Sequence, residues 1–243
     1  MTDFSVRLGR VLERIEAACS RHHRDPDELR LVAVSKRHPV AAVMEAMAAG
    51  QRDFGENFIQ EGIGKIEATA DREARWHFIG HLQSNKSRQA AMHFDWVQTI
   101  DRLRIARRLS GQRPHHAGDL QVCIQVRVGD EPGKSGVAPE DLEPLADGIL
   151  ELPRLKLRGL MAIPPPTGDV DTQRRQFAEL RTAFERLQAR GLGLDTLSMG
   201  MSDDLEAAVA EGSTMLRIGT ALFGPRPGAG GGGLESASRD GYA

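Results

Sequence analysis

From residue 29 onward, short apolar runs alternate with longer segments that are apolar on one side only. Eight of the short runs are rich in β-branched or aromatic residues and end in polar or glycine-containing turns, which is typical of strands in a parallel sheet. They are residues 31–35, 53–55, 76–80, 96–100, 121–128, 157–163, 196–199 and 215–218. The pattern therefore predicts eight strands joined by helices.

The segments between these runs carry apolar residues at helical spacing. Pro39 suits the first position of one helix, and Gly50 marks its end. The longest predicted helix covers residues 171–190 and stops at Gly191. A further helix over residues 4–19 precedes the first strand.

Eight strands with seven intervening helices predict a single α/β domain, a (β/α)8 barrel of the TIM type, in which the N-terminal helix fills the gap in the outer ring. A doubly wound open sheet is the alternative, but no GxGxxG pattern follows the first strand. We assign residues 1–226 to the barrel. Residues 227–243 are rich in glycine and poor in apolar anchors, so we predict a disordered tail.

Composition and charge narrow the possible functions. The chain is 40% apolar and 27% charged with a net charge of -2, which is typical of a soluble globular protein and does not favour a nucleic acid partner. The apolar runs are too short to span a membrane, and charges are spread through the N-terminal segment, so we expect a cytoplasmic protein. Cys19 and Cys123 are isolated and the histidines lack a third ligand, so we expect no metal.

Lys36 directly follows the first predicted strand, at the end of the barrel where functional groups of this fold lie. An amine among apolar neighbours loses solvation of its charged form, which lowers its pKa from about 10.4 and frees the nucleophile that attacks an aldehyde. Schiff-base chemistry is the functional interpretation. A solvated lysine at the end of a strand is the alternative.

The loops after the seventh and eighth strands are the usual phosphate site of this fold. Ser202 is placed to cap the helix after strand seven, and Gly219 with Thr220 repeats the combination of a glycine and a hydroxyl after strand eight. A capped helix and a tight turn without any ligand are the alternative. Asp203 and Asp204 would repel a phosphate unless they point away from it.

Two more polar residues belong to the same end of the predicted barrel. Arg217 becomes a permanently charged donor beside a ligand if its side chain points inward, and an ion pair in the core is the alternative. Asn57 follows strand two and either caps the next helix, which we favour, or hydrogen-bonds a ligand. His77 and His81 share no helical face and do not indicate a metal site.

Motifs along residues 4–226 resemble the pyridoxal phosphate homeostasis proteins, also called the proline synthase co-transcribed family. They are LVAVSK at 31–36, FGEN at 54–57, HFIGHLQSNK at 77–86, KSG at 134–136, RGLMAI at 158–163, SMGMSDD at 198–204 and RIGTALFG at 217–224. The resemblance implies a barrel similar to the N-terminal domain of alanine racemase that holds pyridoxal 5′-phosphate (PLP) as an internal aldimine on Lys36. It also implies the other contacts to PLP: Arg217 at the pyridine nitrogen, Ser202, Gly219 and Thr220 at the phosphate, and Asn57 in the pocket wall.

The resemblance leaves a choice between a carrier and an enzyme. A carboxylate keeps the pyridine nitrogen of PLP protonated and makes it an effective electron sink, and Arg217 cannot do this. Racemases of the resembling type need a tyrosine from a second domain, whereas Tyr242, in the predicted tail, is the one tyrosine here. We therefore favour a non-catalytic PLP carrier for vitamin B6 and amino-acid homeostasis, with PLP-dependent apoenzymes as recipients. A racemase-like PLP enzyme and a Schiff-base aldolase for a phosphosugar remain as alternatives.

Overall fold

A computed structural model describes residues 2–129 and 135–225. Within them, eight parallel strands close into a barrel in chain order. They are β1 (Arg30–Val34), β2 (Asp53–Glu56), β3 (Arg75–Phe78), β4 (Trp96–Ile100), β5 (Leu120–Gln125), β6 (Leu155–Met161), β7 (Thr196–Ser198) and β8 (Met215–Ile218). The predicted (β/α)8 barrel is confirmed. The predicted tail at 227–243, which includes Tyr242, lies outside the described residues, as does Lys134 of the KSG motif.

Helices surround this barrel as the alternation predicts. They are α1 (Asp3–Arg21), α2 (Val40–Ala48), α3 (Ile59–Ala68), α4 (Ser87–His93), α5 (Leu103–Gln112), α6 (Leu142–Leu150), α7 (Val170–Ala189), α8 (Leu205–Ala210) and α9 (Thr220–Phe223). The N-terminal helix α1 contacts α2, α8 and α9. It therefore fills the place in the outer ring that the eighth strand leaves open, as predicted.

Alternation of side chains along the strands divides the core into an outer and an inner part. Outward residues such as Phe54 and Leu216 pack against the helices in one large apolar cluster. The small inner cluster consists of Val32, Trp96, Cys123, Met161 and Met215. Polar side chains that are hydrogen-bonded to one another complete the barrel interior: His77, Gln98, Ser198 and Arg217.

The predicted fifth strand, residues 121–128, extends too far. β5 ends at Gln125, and Val126 forms an isolated bridge with Val137 instead. The Arg127 N–H donates to the Val137 carbonyl at 3.0 Å, so this part of the chain hydrogen-bonds to its own loop. Val126 and Val128 are nonetheless buried, which prolongs the apolar alternation past the end of the strand.

Close packing between β6 and β7 depends on Gly159. A Cβ atom there would lie 1.7 Å from the Thr196 carbonyl oxygen, so any side chain must push two neighbouring strands apart. We expect Gly159→Ala to lower the free energy of unfolding by about 3 kcal/mol, measured by chemical denaturation. Gly9→Ala is the control, since a Cβ at Gly9 in α1 meets nothing within 4 Å. Gly9→Ala should raise the free energy of unfolding by about 0.5–1 kcal/mol. An unchanged free energy of unfolding in Gly159→Ala would contradict this packing.

Three observations on the described residues concern other classes of function. Their helices do not combine the length and the apolar composition needed to cross a membrane. Cys19 and Cys123 are buried without a disulfide, and burial raises the pKa of the Cys123 thiol to about 12. Within residues 2–129 and 135–225, His, Cys, Asp and Glu side chains form no group of three that could hold a metal ion.

Candidate functional site

The register between β1 and β2 places two predicted site residues side by side at the C-terminal end of the barrel. Val34 pairs with Gly55, and Lys36 and Asn57 each follow this pair by two residues. Lys36 lies in the turn between β1 and α2 and is half-buried. The side chains of Lys36 and Asn57 line the same cavity.

The pairing of the chain at the ends of β7 and β8 likewise places the two predicted phosphate loops side by side. The Arg217 N–H donates to the Gly200 carbonyl at 3.0 Å, and Ser202 and Gly219 each lie two residues beyond this pair. Gly200 has a φ of 98°, and a Cβ there would lie 2.6 Å from the Cβ of Ala208. Only glycine fits this turn, which brings the two loops together.

These loops enclose a cavity of about 280 Å³ at the C-terminal mouth of the barrel. All the predicted site residues line it: Lys36, Asn57, Ser202, Arg217, Gly219 and Thr220. Val34, Ile79, Ile163, Met201 and Asp203 complete the wall. A volume of this order is at the lower end of small-molecule sites, and suits a single ring that carries a phosphate.

A larger cavity, of about 490 Å³, lies at the opposite face of the barrel. Its four arginines are matched by four carboxylates, and the closest pairs are Arg75 with Asp53 at 2.6 Å and Arg158 with Asp195 at 2.5 Å. The charges of the arginines and carboxylates that line this cavity therefore cancel, which does not favour a charged ligand. In (β/α)8 barrels this face serves stability and the C-terminal face serves function, so the smaller cavity is the candidate site.

Arg217 is a buried cation that opens into the candidate site. Its residue is 3% exposed, and its Nη1 and Nη2 donate to Ser198 Oγ at 2.6 Å and to the Ala162 carbonyl at 2.8 Å. Both partners are neutral, and the ion pairs of the described residues do not include Arg217. Burial lowers the pKa of Arg217 to about 10, against an opposing effect of Asp204. The alternative of an ion pair in the core is therefore not found.

A directional chain of hydrogen bonds holds Arg217 from inside the barrel. A guanidinium only donates, so Ser198 Oγ accepts from Arg217 and donates to Gln98 Oε1 at 2.7 Å. Gln98 Nε2 then donates to His77 Nδ1 at 2.9 Å, which leaves the ring proton on His77 Nε2 to reach Asp53 Oδ1 at 2.9 Å. Burial lowers the pKa of His77, against the opposing effect of Asp53.

Ser198 and Gln98 are not among the residues predicted for the site. Both occupy inward positions on β7 and β4, two of the eight predicted strands. Alternation along those strands could have marked them as inward polar residues. It could not have shown that they meet each other and Arg217.

Asn57 does not cap α3, so the interpretation that we favoured is wrong. α3 begins at Ile59, its N-cap residue is Phe58, and no side chain caps it. Gly80 packs directly on Asn57, because a Cβ at Gly80 would lie 2.1 Å from the Asn57 carbonyl oxygen. Asn57 Oδ1 is buried without a hydrogen-bond partner. A buried carbonyl oxygen without a partner is costly, and Asn57 is among the residues that line the cavity.

Ser202 does not cap α8, although the sequence places it to do so. α8 begins at Leu205, and Asp204 occupies the N-cap position without a side-chain bond to the helix. Ser202 Oγ instead accepts the N–H of Ala221 at 3.4 Å. The hydroxyl therefore connects the loop after β7 to the start of α9, at the edge of the cavity.

The side chains of the two acidic residues beside Ser202, Asp203 and Asp204, have different surroundings. Asp204 Oδ1 accepts the Met201 N–H at 2.6 Å, so this carboxylate stabilises its own loop. Burial raises the pKa of Asp204. Asp203 is exposed and belongs to the rim of the cavity. Of the two, Asp203 is the one that lines the cavity.

This chain is similar to known proteins over nearly its whole length. The family described as alanine racemase, N-terminal domain, matches residues 6–227. A relative from Pseudomonas aeruginosa, strain PAO1, is named pyridoxal phosphate homeostasis protein and is 56% identical over 226 residues. The match covers 93% of this chain and 97% of the relative.

Comparison with solved structures gives the same fold. PipY of Synechococcus elongatus PCC7942, described with PLP bound, has a TM-score of 0.80 at 40% identity, and the match covers 91% of this chain and 100% of PipY. Alanine racemase from Corynebacterium glutamicum has a TM-score of 0.68 at 20% identity, and covers 97% of this chain and 63% of the racemase. The likeness to the racemase concerns the barrel alone.

Proposed function

Because this chain belongs to the alanine racemase N-terminal domain family, and within it to the pyridoxal phosphate homeostasis proteins, we propose that it binds PLP covalently through Lys36 and carries it in the cytoplasm. PLP, when bound, supplies an aldehyde and an electron-withdrawing ring. The role that we propose for it is in vitamin B6 homeostasis, in line with the name pyridoxal phosphate homeostasis protein that its relatives carry. The recipients that we propose are PLP-dependent apoenzymes.

One observation carries the assignment of the site. Arg217, a buried guanidinium that has no carboxylate partner among the described residues, lines the same cavity as Lys36 and Asn57. Asn57 Oδ1 is buried without a hydrogen-bond partner. Burying a charge or a lone pair lowers the stability of the fold unless a polar group forms a hydrogen bond with it. PLP brings an acceptor for the cation, polar ring substituents and an aldehyde for the amine.

Each cavity residue then has a defined task. The Lys36 nitrogen attacks the aldehyde carbon, a carbon–nitrogen double bond forms, and the aldehyde oxygen leaves as water. Arg217 donates a hydrogen bond to the pyridine nitrogen and keeps the ring in place. Backbone N–H groups at Gly219 and Thr220 face the phosphate, as in other helix N-termini that bind anions.

Ser202 supports the phosphate assignment through its hydrogen bonding. A hydroxyl has one donor and two acceptor sites, and the N–H of Ala221 uses one acceptor. The hydroxyl proton of Ser202 thus remains to donate to a phosphate oxygen. Asn57, across the cavity, lines the ring.

Removing the Ser202 hydroxyl should weaken the binding of phosphorylated ligands only. We expect Ser202→Ala to lower PLP affinity about tenfold, since a hydrogen bond to a charged group contributes about 1.5–3 kcal/mol. Affinity for pyridoxal, which has no phosphate, should stay as in the unmodified protein. Absorbance titrations with both compounds give the comparison. An equal loss for both compounds would contradict the phosphate assignment.

Transfer and turnover experiments separate a carrier from an enzyme. The PLP-loaded protein is mixed with a PLP-dependent apoenzyme, and the recovery of that enzyme's activity is followed. Deuterium exchange at the α-carbon is measured by NMR for a panel of amino acids. Because the described residues that line the cavity include no tyrosine to act as the second acid or base of a racemase, we expect recovery of activity and no exchange. Rapid exchange with any amino acid would favour a racemase-like enzyme instead.

A further inference from the structure

A buried ionic cluster lies directly beneath the turn that carries Lys36. Lys65 Nζ donates to Glu56 Oε1 and to Glu61 Oε1, each at 2.7 Å. The side chains of Lys65 and Glu56 are 4% and 0% exposed, and that of Glu61 is 26% exposed. We call these three residues the Lys65 cluster. None of them lines the cavity.

The Lys65 cluster forms hydrogen bonds with the residues before and after Lys36. On the N-terminal side, Lys65 Nζ donates to the Ser35 carbonyl at 2.7 Å, and Ser35 Oγ donates to Glu56 Oε1 at 2.5 Å. On the C-terminal side, the Arg37 N–H donates to Glu61 Oε1 at 2.5 Å. The peptide units on both sides of Lys36 are therefore hydrogen-bonded to the Lys65 cluster.

The turn that carries Lys36 contains a residue in a strained backbone conformation. Arg37 has a φ of 64°, in the left-handed region that L residues with a side chain rarely adopt. Glu61 accepts the N–H of that strained residue, which favours the left-handed conformation over a relaxed one. The Arg37 side chain lies over the Phe58 ring, with 5.9 Å between the guanidinium carbon and the ring centroid.

Stability alone does not account for the Lys65 cluster. Removing two carboxylates and an amine from water is costly, and apolar residues of similar size often stabilise a fold as well or better. Glu56 Oε2 is buried without a hydrogen-bond partner, and burial raises the pKa of Glu56. The arrangement instead fixes geometry at one place, the turn of Lys36.

We propose that Glu61, together with Lys65 and Glu56, is a positioning residue that sets the Lys36 turn so that the amine reaches an aldehyde in the cavity. This inference rests on the proposed function, because it concerns the covalent bond between Lys36 and PLP. Glu61 does not line the cavity. It acts through the backbone of Arg37.

Substitution of Glu61 tests this role, since the residue is partly exposed and Lys65 keeps Glu56 as a partner. Glu61→Ala should weaken covalent PLP binding about tenfold, which corresponds to about 1.4 kcal/mol. Pyridoxine 5′-phosphate has no aldehyde, and should bind to Glu61→Ala as tightly as to the unmodified protein. Glu61→Gln keeps a carbonyl oxygen for the Arg37 N–H and should retain most of the PLP affinity.

Two further measurements exclude a merely structural effect. Hydrogen exchange of the Arg37 amide in the PLP-free protein should be faster in Glu61→Ala and near normal in Glu61→Gln. Glu67→Ala, an exposed change on the same helix, should alter neither exchange nor binding. All variants are also compared by thermal unfolding, so that a loss of PLP affinity is separated from a loss of folded protein.

The outcomes distinguish this inference from the proposed function. Unchanged PLP affinity in Glu61→Ala would overturn the positioning role, and so would an equal loss for PLP and pyridoxine 5′-phosphate. An unmodified protein that forms no covalent bond with PLP would instead overturn the proposed function. A selective loss for PLP in Glu61→Ala, restored in Glu61→Gln, is the expected result.

Discussion

Lys36→Ala is expected to abolish the visible absorption band that PLP acquires when it forms a Schiff base with the protein. Lys36 is the amine among the residues that line the cavity, so no other cavity group can take over the bond. Its side chain is only half-buried, and truncation should change the free energy of unfolding by about 1 kcal/mol or less. Absorbance titration with PLP measures the band, and thermal unfolding measures the stability.

Two controls complete this experiment. Lys156→Ala removes an exposed amine at the opposite end of the barrel, and should leave the band unchanged. Pyridoxine 5′-phosphate should still bind to Lys36→Ala, because the phosphate and ring contacts do not involve the amine. A normal band in Lys36→Ala would show that another lysine forms the bond.

Arg217→Met is expected to lower PLP affinity by about 10- to 100-fold, since a hydrogen bond from a charged donor contributes about 1.5–3 kcal/mol. Stability should change much less, because the buried guanidinium has neutral partners and its desolvation opposes folding. PLP titration and chemical denaturation measure the two effects separately. The variant therefore tests whether Arg217 serves the ligand or the fold.

Arg217→Lys is the matched comparison. It keeps the charge but replaces the planar fork that reaches Ser198 and Ala162 at the same time. Its PLP affinity should fall between those of the unmodified protein and Arg217→Met. Unchanged PLP binding in Arg217→Met, together with a large loss of stability, would show that Arg217 is a structural residue only.

Much of the fold could be predicted because strands and helices of this barrel have simple periods. The bounds predicted for the fourth and eighth strands, 96–100 and 215–218, are those of β4 and β8. The location of the site followed from the same pattern, since the C-terminal ends of parallel strands meet at one face. That is why Lys36, Asn57, Ser202 and Arg217 could be grouped before any contact was known.

Helix starts were predicted less well for a local reason. Both Asn57 and Ser202 have the side-chain chemistry of an N-cap, but α3 and α8 begin two and three residues after them. Capping depends on the backbone angles of one residue, which composition does not determine. In both cases the residue that does not cap the helix lines the cavity instead.

The Lys65 cluster could not have been predicted from the sequence. Glu61 and Lys65 are four residues apart on α3, a spacing that usually indicates an exposed ion pair on a helix surface. Their burial depends on contact with Ser35, which is 30 residues away along the chain. Only the closed barrel brings that turn and this helix together.

Borohydride reduction followed by peptide mapping identifies the lysine that binds PLP covalently. The protein is incubated with PLP, reduced, digested and examined by mass spectrometry. We expect a stable pyridoxyl phosphate adduct on the peptide that contains Lys36, at close to one per chain. An adduct confined to another lysine, such as Lys65 or Lys86, or no adduct at all, would contradict this expectation.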